Sequence, residues 1–161
     1  MNPRTRNVLL SVHITATVGT LGADLALLVL GLAGLSGSDT GSVYPAMYLI
    51  GSSIMSPLVV LSLGTGLVLA LRTRWGLLRY WWVTLKLAIT ALLTVLVLLV
   101  LVPRMGAAAQ AVGVGAGPTS AEQMQLVVAP IVGSTLLIAT IALAVFKPSW
   151  QVPRRKVVLA P

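Results

Sequence analysis

Residues 13–24, HITATVGTLGAD, decide the fold because they place a polar stripe inside a long apolar segment. Four of its polar positions are spaced i, i+4, i+7 and i+11, and they are His13, Thr17, Thr20 and Asp24. At about 100° per residue, the four side chains fall within one sector of about 60° on a helix. An acid inside a membrane-spanning helix costs about 2.5–3.5 kcal/mol even on a lenient insertion scale. The stripe therefore marks an inward helix face, with Asp24 as the first candidate functional residue.

The composition also indicates a membrane environment. Of the 161 residues, 57% are hydrophobic and 9% are charged, and the mean hydropathy is +0.99. Soluble domains carry about 25% charged residues, so most of this surface must contact lipid or other helices. The absence of cysteine excludes disulfides and thiolate metal sites. The excess of Lys and Arg does not indicate nucleic-acid binding, because these residues cluster at the ends of apolar segments.

Four apolar segments predict an all-α membrane protein, a bundle of four transmembrane helices in a single domain, 1–161. Each segment exceeds the roughly 20 residues that cross hydrocarbon. The predicted spans are about 8–35, 43–71, 81–102 and 121–146, and a basic cytoplasmic tail follows at 147–161. We expect Pro57 and Pro130 to interrupt the second and fourth helices. A Gly/Ala-rich loop is expected at 104–118, and Thr119–Glu122 has the pattern of a helix capping box.

The positions of the basic residues predict the orientation. Nine of the eleven Lys and Arg residues lie in the N-terminal segment, the second loop and the tail. The first and third loops contain only Arg104. Because basic loops remain in the cytoplasm, we expect both termini to be cytoplasmic, with the protein in the inner (plasma) membrane.

Asp24 is expected near the bilayer midplane, about 16 Å from the end of the first helix. A carboxyl group removed from water favours its protonated form, so Asp24 could donate a proton. The alternative is an Asp that ties the first helix to a Thr or Ser hydroxyl on another helix. The candidate supporting residues, which are small and polar and lie within the spans, are Thr17, Thr20, Ser52, Ser56 and Thr90.

Three further side chains have two interpretations each. Lys86 either snorkels to the inner interface or joins Thr90 in facing the polar stripe. Trp82, four residues earlier, either lies in the interfacial belt or turns its ring face towards a cation. A single histidine excludes bis-His haem ligation within the chain and a three-His metal site. For His13, an ordinary hydrogen bond and a haem shared across a homodimer remain open. We predict no metal or other cofactor.

Two stretches carry a resemblance to a known group. The first helix, with Gly19–Ala23 (GTLGA), and the stretch Arg74–Leu87 (RWGLLRYWWVTLKL) resemble small four-helix actinobacterial membrane proteins, most of them uncharacterised. The resemblance covers the first three helices. It extends loosely to bacterial integral-membrane terpene cyclases, which close polyprenyl or epoxy-polyprenyl chains by protonation. On this resemblance Asp24 matches the expected acid, although those cyclases are larger and use two intramembrane acids.

Three functions remain open. The first is a membrane enzyme that cyclises or isomerises a lipophilic, isoprenoid substrate with Asp24 as the acid. The second is a proton-coupled carrier in which His13, Asp24 and Lys86 relay protons. The third is a non-catalytic partner subunit whose polar stripe packs helices together. The expected partners are the lipid bilayer, a lipophilic small molecule and a second copy of the chain, and not nucleic acid.

Overall fold

The computed structural model describes residues 2–37, 39–72 and 81–146, and these residues form helices and short connections without strands. The helices are α1 (Pro3–Leu35), α2 (Thr40–Ile50), α3 (Ser56–Arg72), α4 (Trp81–Leu96), α5 (Val102–Gly113) and α6 (Ser120–Phe146). Two π-helical segments, Gly51–Met55 and Val97–Leu101, join α2 to α3 and α4 to α5. The chain therefore forms four long rods. The predicted tail at 147–161 lies outside the described residues.

All four rods are long and apolar enough to cross a membrane. The apolar stretches are Pro3–Leu35, Thr40–Arg72, Val83–Gly113 and Ser120–Leu143. Large apolar side chains cover their outer faces, as Val29 at 66% and Leu99 at 71% exposure illustrate. Such surfaces are stable against lipid and not against water. The predicted all-helical architecture with four such helices is confirmed for the described residues, and their length and composition indicate a multi-pass membrane protein.

Two prolines are accommodated by π turns rather than by breaks. Before Pro57, the Ser56 N–H donates to the carbonyl of Gly51, five residues back. Before Pro103, the Val102 N–H donates to Val97 in the same way. A wider π turn relieves the clash between a proline ring and the preceding carbonyls, so the helix continues. The α-helix is therefore interrupted just before Pro57, as predicted, but by a π turn within a continuous rod, whereas the loop predicted for residues 104–113 was wrong because α5 occupies them.

Side-chain caps set several helix ends. The Asn2 side chain accepts a hydrogen bond from the Arg4 N–H, so α1 begins earlier than predicted. The predicted capping box is confirmed: the Thr119 N–H donates to the Glu122 carboxylate at 2.7 Å, and the Glu122 N–H donates to the Thr119 hydroxyl at 3.4 Å. From this cap α6 runs through Pro130 without a break, and the predicted interruption there was wrong.

Helix α1 is central to the packing. It contacts mainly α6 and α3, while α2 packs on α5. Small residues permit the close approach: a Cβ atom at Gly31 would lie 3.2 Å from the backbone oxygen of Leu126, and one at Gly51 would lie 2.7 Å from the sulfur of Met105. The resulting apolar core is near the end of the bundle where α1 ends, and the buried Thr17 and Thr20 precede it along α1.

Tyr44 and Gly34 provide a test of this packing. The Tyr44 hydroxyl is buried without a hydrogen-bond partner in the part of the chain that the structure describes. A Cβ atom at Gly34 would lie 2.8 Å from it. We expect Gly34→Ala to lower the free energy of unfolding by about 1–3 kcal/mol. Tyr44→Phe should be neutral or stabilising, because it removes an unpaired buried hydroxyl.

The cost of Gly34→Ala should also fall in the Tyr44→Phe background, since the clashing oxygen is then absent. Denaturant-induced unfolding of the four purified proteins in one detergent measures both effects. An equal loss of unfolding free energy in the two backgrounds would contradict the claim that the added methyl clashes with the Tyr44 hydroxyl.

Candidate functional site

Asp24 is buried between α1 and α6, with 1% of its surface exposed. The Ser134 hydroxyl donates to Oδ2 of Asp24 at 2.8 Å. A Cβ atom at Gly133 would lie 2.8 Å from the same oxygen, so glycine is required for this close approach of α6. Ser134 and Gly133 together fix the position of the carboxyl group. The predicted tie between the first helix and a hydroxyl on another helix is thus present as a contact.

A cavity of about 420 Å³, the central cavity, lies beside Asp24. Its walls come mainly from α1, α3, α4 and α6 and are mostly apolar. The polar residues along the wall are Thr20, Asp24, Ser62, Thr90 and Thr94. Arg104 and Gln125, which hydrogen-bond to each other, also line it, towards the end of the bundle where α6 begins. Pockets for small lipophilic ligands have this size and this sparse distribution of polar groups.

A second cavity of about 340 Å³, the basic cavity, lies towards the end of the bundle where α1 begins. Its charged or titratable lining residues are Arg6, His13 and Lys86, and most of the others are apolar. Ser62 and Thr90 line both cavities, so these two side chains lie at the boundary between them. The interior therefore has two compartments, one beside Asp24 and one beside Arg6, His13 and Lys86, with the hydroxyl groups of Ser62 and Thr90 between them.

Hydrogen bonds tie the polar stripe of α1 to α3. His13 Nδ1 lies 3.0 Å from the carbonyl oxygen of Ser62 and 3.1 Å from Oγ1 of Thr65. Thr17 Oγ1 lies 2.9 Å from Oγ of Ser62. With Asp24 bonded to α6, the stripe faces α3 in its first half and α6 in its second. The expectation that the stripe faces inward agrees with this geometry.

The remaining predicted residues divide into two groups. Thr20 and Thr90 line the central cavity, and their hydroxyls donate to carbonyls of their own helices. Ser52 and Ser56 also bond their own helix backbone, and they lie outside the lining of both cavities. The Trp82 side chain lies outside the described residues. The structure thus brings Thr20 and Thr90 to the cavity beside Asp24, but not the two serines.

Sequence reasoning missed two hydroxyl partners, Ser62 and Ser134. Ser62 bonds both His13 and Thr17 and borders both cavities. Its signal in the sequence is a polar and small triad at i, i+3 and i+4 with Thr65 and Gly66. Ser134 directly follows Gly133 on α6. The glycine permits α6 to approach α1 closely, and the serine supplies a hydrogen-bond donor at the same point.

Comparisons with known proteins assign no function to the site, so it is interpreted from its own chemistry. No protein-family model matches the chain, and neither does any curated protein or solved structure. Among residues 2–37, 39–72 and 81–146, no group of three or more His, Cys, Asp or Glu side chains could hold a metal ion. The carboxyl group, the hydroxyls and the basic side chains are the reactive groups that line the two cavities.

Proposed function

We propose that this protein is an integral membrane enzyme that cyclises or isomerises a lipophilic, isoprenoid substrate, with Asp24 as the proton donor. The buried Asp24 carboxyl on the wall of the apolar central cavity supports this proposal most directly. The distribution of Lys and Arg supports a plasma-membrane orientation with both termini in the cytoplasm. In this orientation Asp24 lies within the hydrocarbon region, where a lipophilic substrate is most concentrated.

The reaction begins with proton transfer from the Asp24 carboxyl to one carbon of a substrate double bond. The π electron pair forms the new C–H bond and leaves a cation on the other carbon. In a cyclisation, a second double bond then attacks this cation. Loss of a proton from a neighbouring carbon to the Asp24 carboxylate forms the last double bond and restores the acid. The product is an isomer of the substrate, and no co-reactant is consumed.

The surroundings of Asp24 suit each stage of this reaction. The Ser134 hydroxyl orients the carboxyl and stabilises the carboxylate that remains after proton transfer. The apolar lining keeps water away from the cation, which water would otherwise capture as an alcohol. The cavity volume of about 420 Å³ fits a ligand of small-molecule size.

Deuterium incorporation tests the proposal. Membranes containing the protein are incubated in D₂O with a panel of linear polyprenyl compounds, and organic extracts are analysed by mass spectrometry. We expect a product that carries one carbon-bound deuterium, because the exchangeable Asp24 proton is delivered to carbon. Control membranes without the protein should give no such product. The absence of any labelled isomer across the panel would exclude polyprenyl compounds as substrates.

A second candidate function is a proton-coupled carrier. It is favoured by the hydroxyl boundary at Ser62 and Thr90, which lies between the His13 end of the bundle and Asp24. A carrier predicts proton movement across proteoliposome membranes, reported by a trapped pH-sensitive dye after a pH jump. The enzyme predicts labelled product without such movement, so the two assays together separate the functions.

A further inference from the structure

The basic cavity contains positive charge without a neutralising carboxylate. Arg6 and Lys86 both line it; Arg6 is exposed and Lys86 is half-buried. The whole sequence has three acids. Asp24 lines the central cavity, and the other two cap α2 and α6 at the opposite end of the bundle. A charge that is partly withdrawn from water, as that of Lys86 is, favours a partner of opposite charge, and no acidic side chain lines this cavity.

Apart from Ser62 and Thr90, the rest of the cavity lining is apolar. Its larger aliphatic side chains are Leu10, Leu63, Leu69, Val83 and Leu87. The volume of about 340 Å³ greatly exceeds the space that a small inorganic anion fills. A ligand that fits this cavity therefore combines an anionic head with a hydrocarbon part.

The charge of the site favours a phosphate monoester as the head. At pH 7 a phosphate monoester carries a charge of about −1.5 to −2, which matches the two basic side chains Arg6 and Lys86. A carboxylate or a phosphodiester would neutralise only one of them. Arg and Lys are also the side chains that most often bind phosphate in proteins.

We propose that the basic cavity binds the phosphate monoester head of an amphiphile, whose hydrocarbon part packs on the aliphatic lining. His13 also lines the cavity, and its Nδ1 lies 3.0 Å from the Ser62 carbonyl oxygen, which fixes the orientation of the ring. The site is separate from the acid chemistry proposed for Asp24. Binding should therefore persist in an Asp24→Asn protein that has lost activity.

Native mass spectrometry of the full chain, released from neutral maltoside micelles, tests this inference. The probes are dodecyl phosphate, its methyl diester, dodecanol and inorganic phosphate. We expect dodecyl phosphate to be retained at least about tenfold more strongly than the other three. Equal retention of the diester would indicate nonspecific attraction of anions. Equal retention of inorganic phosphate would assign the site to a free anion. Either result overturns the proposal.

Two matched variants locate the site. Arg6→Gln should weaken dodecyl phosphate binding about tenfold, whereas Arg4→Gln, in the same helical turn but outside the cavity lining, should leave it within about twofold. Lys86→Met should weaken it further and Lys86→Arg should retain it, with thermal unfolding confirming that both fold. Equal effects of the Arg4 and Arg6 changes would overturn the proposal, as would unchanged binding in folded Lys86→Met.

Discussion

Asp24→Asn is expected to lower the rate of product formation by about 100-fold or more while leaving the protein folded. General acid catalysis contributes about 10²–10⁴-fold to enzymatic rates, and an amide cannot protonate a carbon–carbon double bond. Asparagine has nearly the size of aspartate, and its carbonyl oxygen can still accept the hydrogen bond from Ser134. Intramembrane hydrogen bonds average about 0.6 kcal/mol, so the free energy of unfolding should change little. Product mass spectrometry and thermal unfolding measure the two quantities.

Asp39→Asn is the matched control. The Asp39 side chain accepts hydrogen bonds from the Gly41 N–H and the Ser42 hydroxyl at the start of α2. Because asparagine caps helices about as well as aspartate, this variant should keep both its stability and its activity. Full activity in a folded Asp24→Asn protein would exclude the acid role and favour the partner-subunit function. An equal loss in both variants would point to a general effect of removing negative charge.

The inward face of α1 could be predicted because a narrow polar stripe on an apolar helix leaves one favourable orientation. Thr17, Thr20 and Asp24 are all buried, as the spacing requires. The helix partner could not be predicted in the same way. α6 offers hydroxyls on several faces, at Ser134, Thr135 and Thr140 among others. Packing over the whole bundle sets the rotation and depth of α6 relative to α1. These determine that the Ser134 hydroxyl is the one that reaches Asp24.

The helix bounds show a second limit of sequence reasoning. Proline removes a hydrogen-bond donor and clashes with the preceding turn, so local preference disfavours a regular helix at Pro57 and at Pro103. Whether the chain breaks or widens into a π turn depends on its neighbours. Here Gly51, at the start of the first π segment, packs directly on Met105, just beyond the second. That tertiary contact stabilises two continuous helices that local preference alone would divide.

Among substitutions that add a single methyl group next to Asp24, Gly133→Ala is expected to produce the largest loss of stability. The new Cβ atom would lie 2.8 Å from Oδ2 and 3.4 Å from Cγ of Asp24. Because the carboxyl is also held by Ser134, it cannot move away without losing that hydrogen bond. Overpacking of this kind costs about 1–3 kcal/mol. Denaturant-induced unfolding in one detergent measures the change, and product formation should fall with it because the acid is displaced.

Gly22→Ala is the control for the glycine substitution itself. A Cβ atom at Gly22 would meet nothing within 4 Å, so alanine there should stabilise the protein by about 0.4–1 kcal/mol. A double-mutant cycle then assigns the loss at Gly133 to the carboxyl. In an Asp24→Ala background the clashing oxygens are absent, and Gly133→Ala should cost less by about 0.5–3 kcal/mol, the range of coupling between residues in contact. If the cost were the same in both backgrounds, the requirement for glycine at position 133 would come from the packing of the α6 backbone on α1. The Asp24 carboxyl would then not be its cause.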